Sequence, residues 1–235
     1  MNQDRSVKTQ EVLESGVWYR SLPDDLKAQL MELAVEQNYE PSMPLFRRGD
    51  ERSGIYAVIE GMVRVSGLNE QGKEAILTFV EPSNWMGEVA LFDGEVRTHD
   101  AFAETHVRVL YFSQQGLDDI LCRKPLYWRE FGLLIAHKLR LAFIALEDLS
   151  LLPAPARLAR RLVLMAEGYG EKGAAKRSSL PVPQEQLGMM LSISRQTTNQ
   201  ILKDLQSKGL IDLTYGQVEI VDMAGLKRVC GMSTK

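Results

Sequence analysis

The chain has 235 residues, 45% hydrophobic and 25% charged, with a formal net charge of −3, the composition of a globular protein long enough for two small domains. No apolar run approaches the roughly 18–20 residues of a membrane span, and the polar, acidic stretch Met1 to Arg20 lacks the pattern of a secretory signal. The two cysteines, Cys122 and Cys230, cannot build a disulfide framework or a four-thiolate cluster within one chain, so the expected compartment is the cytoplasm, with no membrane partner.

Charge is unevenly distributed. Residues 154–235 carry 12 Lys and Arg against 7 Asp and Glu, whereas residues 1–153 carry 16 against 24. A basic C-terminal third behind an acidic body is the footprint of a polyanion-binding end, although a solvated face gives the same count.

In chain order, residues 22–37 predict a short amphipathic helix opened by Pro23, Asp24 and Asp25, where a fixed φ and negative charge suit the exposed N–H groups. From Tyr39 to Ser113 short alternating runs take over, among them Ile55 to Ile59, Met62 to Val65, Ala75 to Val80 and Val107 to Phe112. Turn signals at Gly49, Gly61, Gly72 and Gly94 separate them, as in an all-β sandwich or barrel. A long helix is predicted from Pro125 to Leu152. Its residues Ile135, Leu139, Ala142, Leu146 and Leu149 recur at alternating steps of four and three, the seam of a coiled coil, with Leu134 and Leu141 off that seam. Two apolar faces call for two partners: the chain's own barrel and a second copy of the chain. A single-partner core helix is the simpler alternative. Pro153 and Pro155 end this helix and mark a boundary.

Helix resumes at Ala156. After a Gly-, Lys- and Ser-rich loop from Gly168 to Ser179 comes the segment that carries function. Residues 184–207 read as two short helices joined by the turn Ser192-Ile193-Ser194, a helix-turn-helix. Leu187, Leu191, Ile193, Ile201, Leu202 and Leu205 face inward, and Gly188 allows close approach. Ser194 caps the second helix and Gly209 stops it. That helix is expected to present Arg195, Gln196, Asn199 and Gln200 to base edges, and Thr197 and Thr198, beside Ser194, to phosphates. A hairpin around Tyr215 and Gly216 completes a winged helix.

These motifs resemble the cyclic-AMP receptor / fumarate-nitrate regulator (Crp/Fnr) family over about residues 20–225. The likeness rests on Phe46-Arg-Arg-Gly-Asp50, Ile55 to Val65, Gly87-Glu-Val-Ala-Leu through Arg97-Thr98, and Ser194-Arg-Gln-Thr197. It implies an α+β chain: a cyclic-nucleotide-binding-type jelly roll over 1–124, a dimerisation helix and hinge over 125–153, and a winged-helix DNA-binding domain over 154–235. It also implies a homodimeric, effector-controlled transcription regulator on double-stranded DNA, with RNA polymerase as a further partner. Gly87, Glu88, Arg97 and Thr98 fall on the family's cyclic-nucleotide positions, Glu88 on the ribose and Arg97-Thr98 on the phosphate. Three departures matter. Ser192 replaces the usual turn glycine, His99-Asp100 follows Arg97-Thr98 where the family has alanine, and Ala142 and Phe143 stand where the cyclic-AMP receptor has its adenine contacts. Gln196 and Gln200 replace that receptor's glutamate and arginine, so the operator is expected to differ.

Two readings of the pocket remain open: a cyclic nucleotide on Glu88 and Arg97, or an ion pair between them in a pocket for another effector or for none. No cysteine precedes Cys122, which excludes the family's N-terminal iron–sulfur cluster. His99, His106 and His137 lack metal-ligand spacing. No Walker loop, Ser-His-Asp set or paired carboxylates stand out, so no enzyme is expected. The competing function is a ligand-binding module that acts through a protein partner, with degenerate DNA binding.

Overall fold

The computed structural model describes all residues except 1, 52, 171–176, 215 and 233–235, and gives no side chain for 2–5 or 170. It divides into two compact units, Met1–Lys138 and Leu139–Lys235.

The first unit opens with α1 (Asn2–Ser15), α2 (Val17–Ser21) and α3 (Asp24–Leu33). Pro23 caps α3 and both aspartates lie in its first turn, as the sequence predicts. The helix stops at Leu33 rather than running to residue 37, because Val35 already pairs with Tyr111 in a sheet. Strands β1 (Val35–Tyr39), β2 (Pro44–Phe46), β3 (Gly54–Glu60), β4 (Val63–Leu68), β5 (Glu74–Val80) and β6 (Trp85–Met86) follow. Next come α4 (Glu88–Asp93), β7 (Asp100–Ala103), β8 (Val107–Ser113) and α5 (Gln114–Arg123). A 3₁₀ turn at Pro125–Tyr127 leads into α6 (Trp128–Leu151).

The strands form two antiparallel four-stranded sheets, β1-β8-β3-β6 and β2-β7-β4-β5, the jelly roll expected. Strand β3 shows why its run Ile55 to Ile59 is apolar throughout. Tyr56 and Val58 join Val63, Ala101, Val107 and Val109 in one core, while Ile55, Ala57 and Ile59 face a second core built with the helices. Successive side chains point to opposite faces, and here both faces are buried. The second core holds Trp18, Tyr19, Trp85, Phe112 and Phe131, and Trp18 Nε1 donates to the Glu130 carbonyl at 2.7 Å. Leu134 joins this core as its off-seam position predicts. Leu141 is only half-buried.

The second unit contains the rest of α6, then α7 (Ala154–Ala166), β9 (Ser179–Leu180), α8 (Gln184–Leu191), α9 (Arg195–Ser207), β10 (Ile211–Thr214), β11 (Gln217–Ile220) and α10 (Met223–Val229). Pro153 caps α7, and Pro155 lies in its first turn. Pro155 therefore opens the next helix instead of ending the previous one, at a position where the missing N–H costs nothing. Leu158, Ala159, Leu162 and Val163 of α7 are fully buried. The sheet order β10-β11-β9 gives the wing a third strand that the sequence reading lacks. Arg160 Nε stands 3.1 Å from Asp148 Oδ2, but its N–H makes no hydrogen bond. Burial therefore outweighs Arg160 and lifts the Asp148 carboxyl above its ordinary range.

Candidate nucleic-acid interface and effector site

Helices α8 and α9 meet at Ser192-Ile193-Ser194. Ser192 closes α8 in the left-handed region, φ 54° and ψ 38°, a conformation that a side chain makes costly and glycine would not. Ser194 is extended, and its Oγ accepts from Thr197 N at 3.1 Å. The two helices approach so closely at Gly188 that a Cβ there would stand 2.8 Å from Thr198 Oγ1 and 3.1 Å from the Ile193 carbonyl oxygen. Leu187, Ile201, Leu202 and Leu205 are buried as expected; Leu191 and Ile193 are half-buried.

One expected contact is corrected. Thr198 is fully buried and its Oγ1 donates to the Ser194 carbonyl at 3.0 Å, so it faces α8 and cannot reach a phosphate. A four-residue step from Ser194 places it on the inner face of α9, which the residue type alone conceals. Thr197 is exposed, with Oγ1 2.8 Å from Ser194 Oγ. The outward face brings together Arg195, Gln196, Asn199, Gln200 and Lys203, which line one open depression of about 500 Å³. Lys203 is the residue the sequence reading missed. Its spacing of seven from Gln196, two helical turns, could have found it. Asn199 lies partly inward: its Oδ1 is buried and receives no hydrogen bond. Tyr215, expected at the wing tip, and most of the loop expected from Gly168 to Ser179 fall outside the described residues.

In the sensor unit, Gly87 (φ +95°) opens α4 and Gly94 (φ +71°) closes it. Arg97 is buried. One terminal nitrogen, Nη1, donates to the Gly87 carbonyl at 2.9 Å; the other, Nη2, donates to the Gly54 carbonyl at 2.6 Å and to Ser53 Oγ at 3.1 Å. Its guanidinium lies 4.4 Å from the centre of the Phe46 ring. Burial lowers its affinity for the proton, against the opposing pull of Tyr56, Glu88, Tyr111 and Asp50. Beside it, Tyr56 and Tyr111 are 5.1 Å apart, Tyr111 Oη donates to the Ser53 carbonyl, and burial pushes Tyr39 up to about 12. Glu88 is also buried, but it does not pair with Arg97: Lys138 Nζ of α6 donates to Glu88 Oε2 at 2.8 Å and to the Trp85 carbonyl at 2.7 Å. The expected ion pair between Glu88 and Arg97 is thus not formed: Glu88 pairs with Lys138, and Arg97 is held by Ser53 and the Gly54 and Gly87 carbonyls. Thr98 is exposed, its Oγ1 3.0 Å from His99 Nδ1, and its carbonyl accepts from Arg48 Nε at 2.8 Å. Desolvation and Arg48 lower the His99 pKa. Asp100, the second departure from the family pattern, is buried and accepts from Arg48 N at 2.8 Å.

Residues 36–124 match the family described as cyclic nucleotide-binding domain, and residues 156–229 match the Crp-like helix-turn-helix domain. The CRP-like cAMP-activated global transcriptional regulator of Mycobacterium tuberculosis is 30% identical over 219 residues, covering 93% of this chain and 98% of that protein. The chain belongs to the Crp/Fnr family. The cyclic AMP receptor protein of Thermus thermophilus is 28% identical over 192 residues, 81% of this chain and 86% of that one. Among solved structures, FixK2 from Bradyrhizobium japonicum superposes with a TM-score of 0.74 at 19% identity, covering 86% of this chain and 98% of that one. CLP from Xanthomonas campestris gives 0.69 at 20%, covering 84% and 99%. Membership makes the chain a DNA-binding transcription regulator of the Crp/Fnr type, controlled through its barrel.

For a Crp/Fnr sensor, the fit to a cyclic nucleotide is divided. Glu88 and Arg97 are an acceptor and a cation of the right kind, and Arg97 Nε is a buried donor with no partner. A phosphate would nevertheless have to share a guanidinium whose two terminal nitrogens already serve the chain, and a sugar hydroxyl would have to share Glu88 with Lys138. Ala142 and Phe143, in the other unit, are exposed on α6 and carry no side-chain hydrogen-bonding group. Among the described residues no cluster could hold a metal ion, and no helix is long and apolar enough to cross a membrane.

Proposed function

We propose that this Crp/Fnr regulator acts as a homodimer on double-stranded DNA, with one α9 in each of two successive major grooves about 34 Å apart. One observation carries the reading: Ser194 caps a helix whose outer face groups Arg195, Gln196, Asn199, Gln200 and Lys203 around a single depression. Arg, Asn and Gln are the side chains that bond base edges. Ser194 and Thr197 are exposed at the start of α9, which supports assigning them to the DNA backbone.

The proposed dimer contact is the uncovered stripe of α6. Leu139, Leu146 and Leu149 are each more than half exposed and Phe143 is 61% exposed, a density of apolar surface that marks an interface. The proposed effector is a small anion, a cyclic nucleotide among the candidates, held by Glu88 and Arg97 with Gly87 and Thr98 alongside. Support comes from the matched domain and from relatives named as cAMP-activated. RNA polymerase is the further partner that family resemblance supplies, and the cytoplasm is the working compartment. The output is DNA occupancy rather than catalysis.

Selection of bound sequences from a genomic DNA library, with and without cyclic AMP and cyclic GMP, tests this. A recurrent pseudo-palindrome supports the reading. Binding that shows no sequence preference at any salt concentration would favour a protein partner as the output instead.

A further inference from the structure

The outer face of α9 carries three amides, and the structure separates them. Gln196 and Gln200 are exposed, so the oxygen and the NH₂ of each amide are available together. That pairing is what matches adenine, which offers an acceptor at N7 and a donor at N6. Asn199 cannot fork in this way, because its Oδ1 is turned into the protein, buried and without a donor. With one end of its amide enclosed and the residue half-buried, Asn199 offers the groove a single polar atom and so discriminates little. Arg195 is exposed at the first position of the helix, with the fork that matches guanine O6 and N7. The five residues of the face include no carboxylate, the acceptor-only group that matches the cytosine amino group.

Gln196 and Gln200 lie four residues apart. At 1.5 Å per residue the step is about 6 Å, close to two base steps of about 3.4 Å. We infer that the operator half-site is defined by a G·C pair facing Arg195 and by two A·T pairs, about two steps apart, whose adenines are read by Gln196 and Gln200. Asn199 and Lys203 hold the helix in the groove without choosing a base. This deepens the proposal that α9 is the recognition helix and rests on it.

The test is selection from a random double-stranded DNA pool with the full chain at physiological salt, run in parallel for wild type, Gln196→Glu, Gln200→Ala and Asn199→Ala. All three substitutions are on exposed or half-exposed positions, and thermal melting checks that each variant folds. Wild type should select two A·T positions separated by about two steps. Gln196→Glu should exchange one of them for a pair that presents cytosine, with a preference of roughly five- to 150-fold for the new pair, the range of a single base mismatch. Gln200→Ala should relax the other position, and Asn199→Ala should leave the selected sequence unchanged. A defined wild-type sequence that lacks the two A·T pairs, or that Gln196→Glu does not alter, overturns the inference and leaves the regulator reading standing. No selected sequence at all overturns both.

Discussion

Lys138 Nζ lies 2.8 Å from Glu88 Oε2, so the helix that runs on into the DNA-binding unit carries the cation that neutralises the sensor's buried acid. A buried carboxylate that loses its cation is left uncompensated, which costs about 3–5 kcal/mol when the pair is fully enclosed. The Lys138 side chain is 38% exposed, and solvent reduces that cost. Lys138→Met should destabilise the sensor unit by about 1–3 kcal/mol, and Glu88→Gln in the same chain should restore most of the loss. Tryptophan fluorescence during urea unfolding is the measurement, since Trp18, Trp85 and Trp128 all lie in that unit. A single variant as stable as wild type would show that the pair holds nothing.

Gly188 and Thr198 set the distance between α8 and α9. Gly188→Ala adds a methyl that meets Thr198 Oγ1 and a backbone carbonyl. Overpacking of this kind costs about 1–3 kcal/mol. The expected result is a lower melting temperature for the winged-helix unit and weaker operator binding, because α9 is pushed from its seat. Unchanged affinity in a gel shift would contradict the close contact.

Ser192 calls for the opposite change. With φ at 54°, Ser192→Gly relieves left-handed strain of about 1–2 kcal/mol and gives back part of it as glycine's unfolded-state entropy. A net gain of about 0.5–1 kcal/mol in chemical denaturation is expected, with DNA specificity unaltered.

Asp148 provides a pH signature. Its carboxyl is lifted by burial despite Arg160, so the folded state binds that proton more tightly than the unfolded chain. Stability from this group is greatest below the ordinary carboxylate range and falls as pH rises through that range to the lifted value. Asp148→Asn should remove this component of the slope and be at least as stable as wild type at neutral pH. Parallel melting curves across the acid range decide it. An Asn variant that is clearly weaker at neutral pH would mean that Arg160 outweighs burial.

On the DNA side, Arg195 and Lys203 should separate by the kind of loss. Arg195→Ala is expected to lose about 1–3 kcal/mol of base discrimination per half-site. Lys203→Ala should weaken specific and random DNA alike and lower the slope of log affinity against log salt by about one. Fluorescence anisotropy titrations at several salt concentrations read both effects, and equal losses of specificity in the two variants would undo the distinction.

Much of this protein was written locally. The Ser194 cap, the Gly209 stop and the inward Leu187, Leu202 and Leu205 follow from residue type and spacing within about 25 positions. The alternation of β3 and the apolar seam of α6 are equally legible. In each case the physics concerns a residue and its near neighbours: orphan N–H groups, positive φ, or the period of a helix or strand. The left-handed turn at Ser192 was foreshadowed only by the family resemblance, whose motif has glycine there.

What the tertiary structure alone decided depends on partners far apart in the chain. Helix α3 yields at Leu33 because β8 claims Val35, some 76 residues on. Glu88 answers to Lys138, fifty residues away, and Arg97 spends its nitrogens on the Gly87 and Gly54 carbonyls. Spacing cannot announce such contacts: a buried charge must find a counter-charge or a carbonyl, and which one it meets is settled only when the sheets and helices close around it.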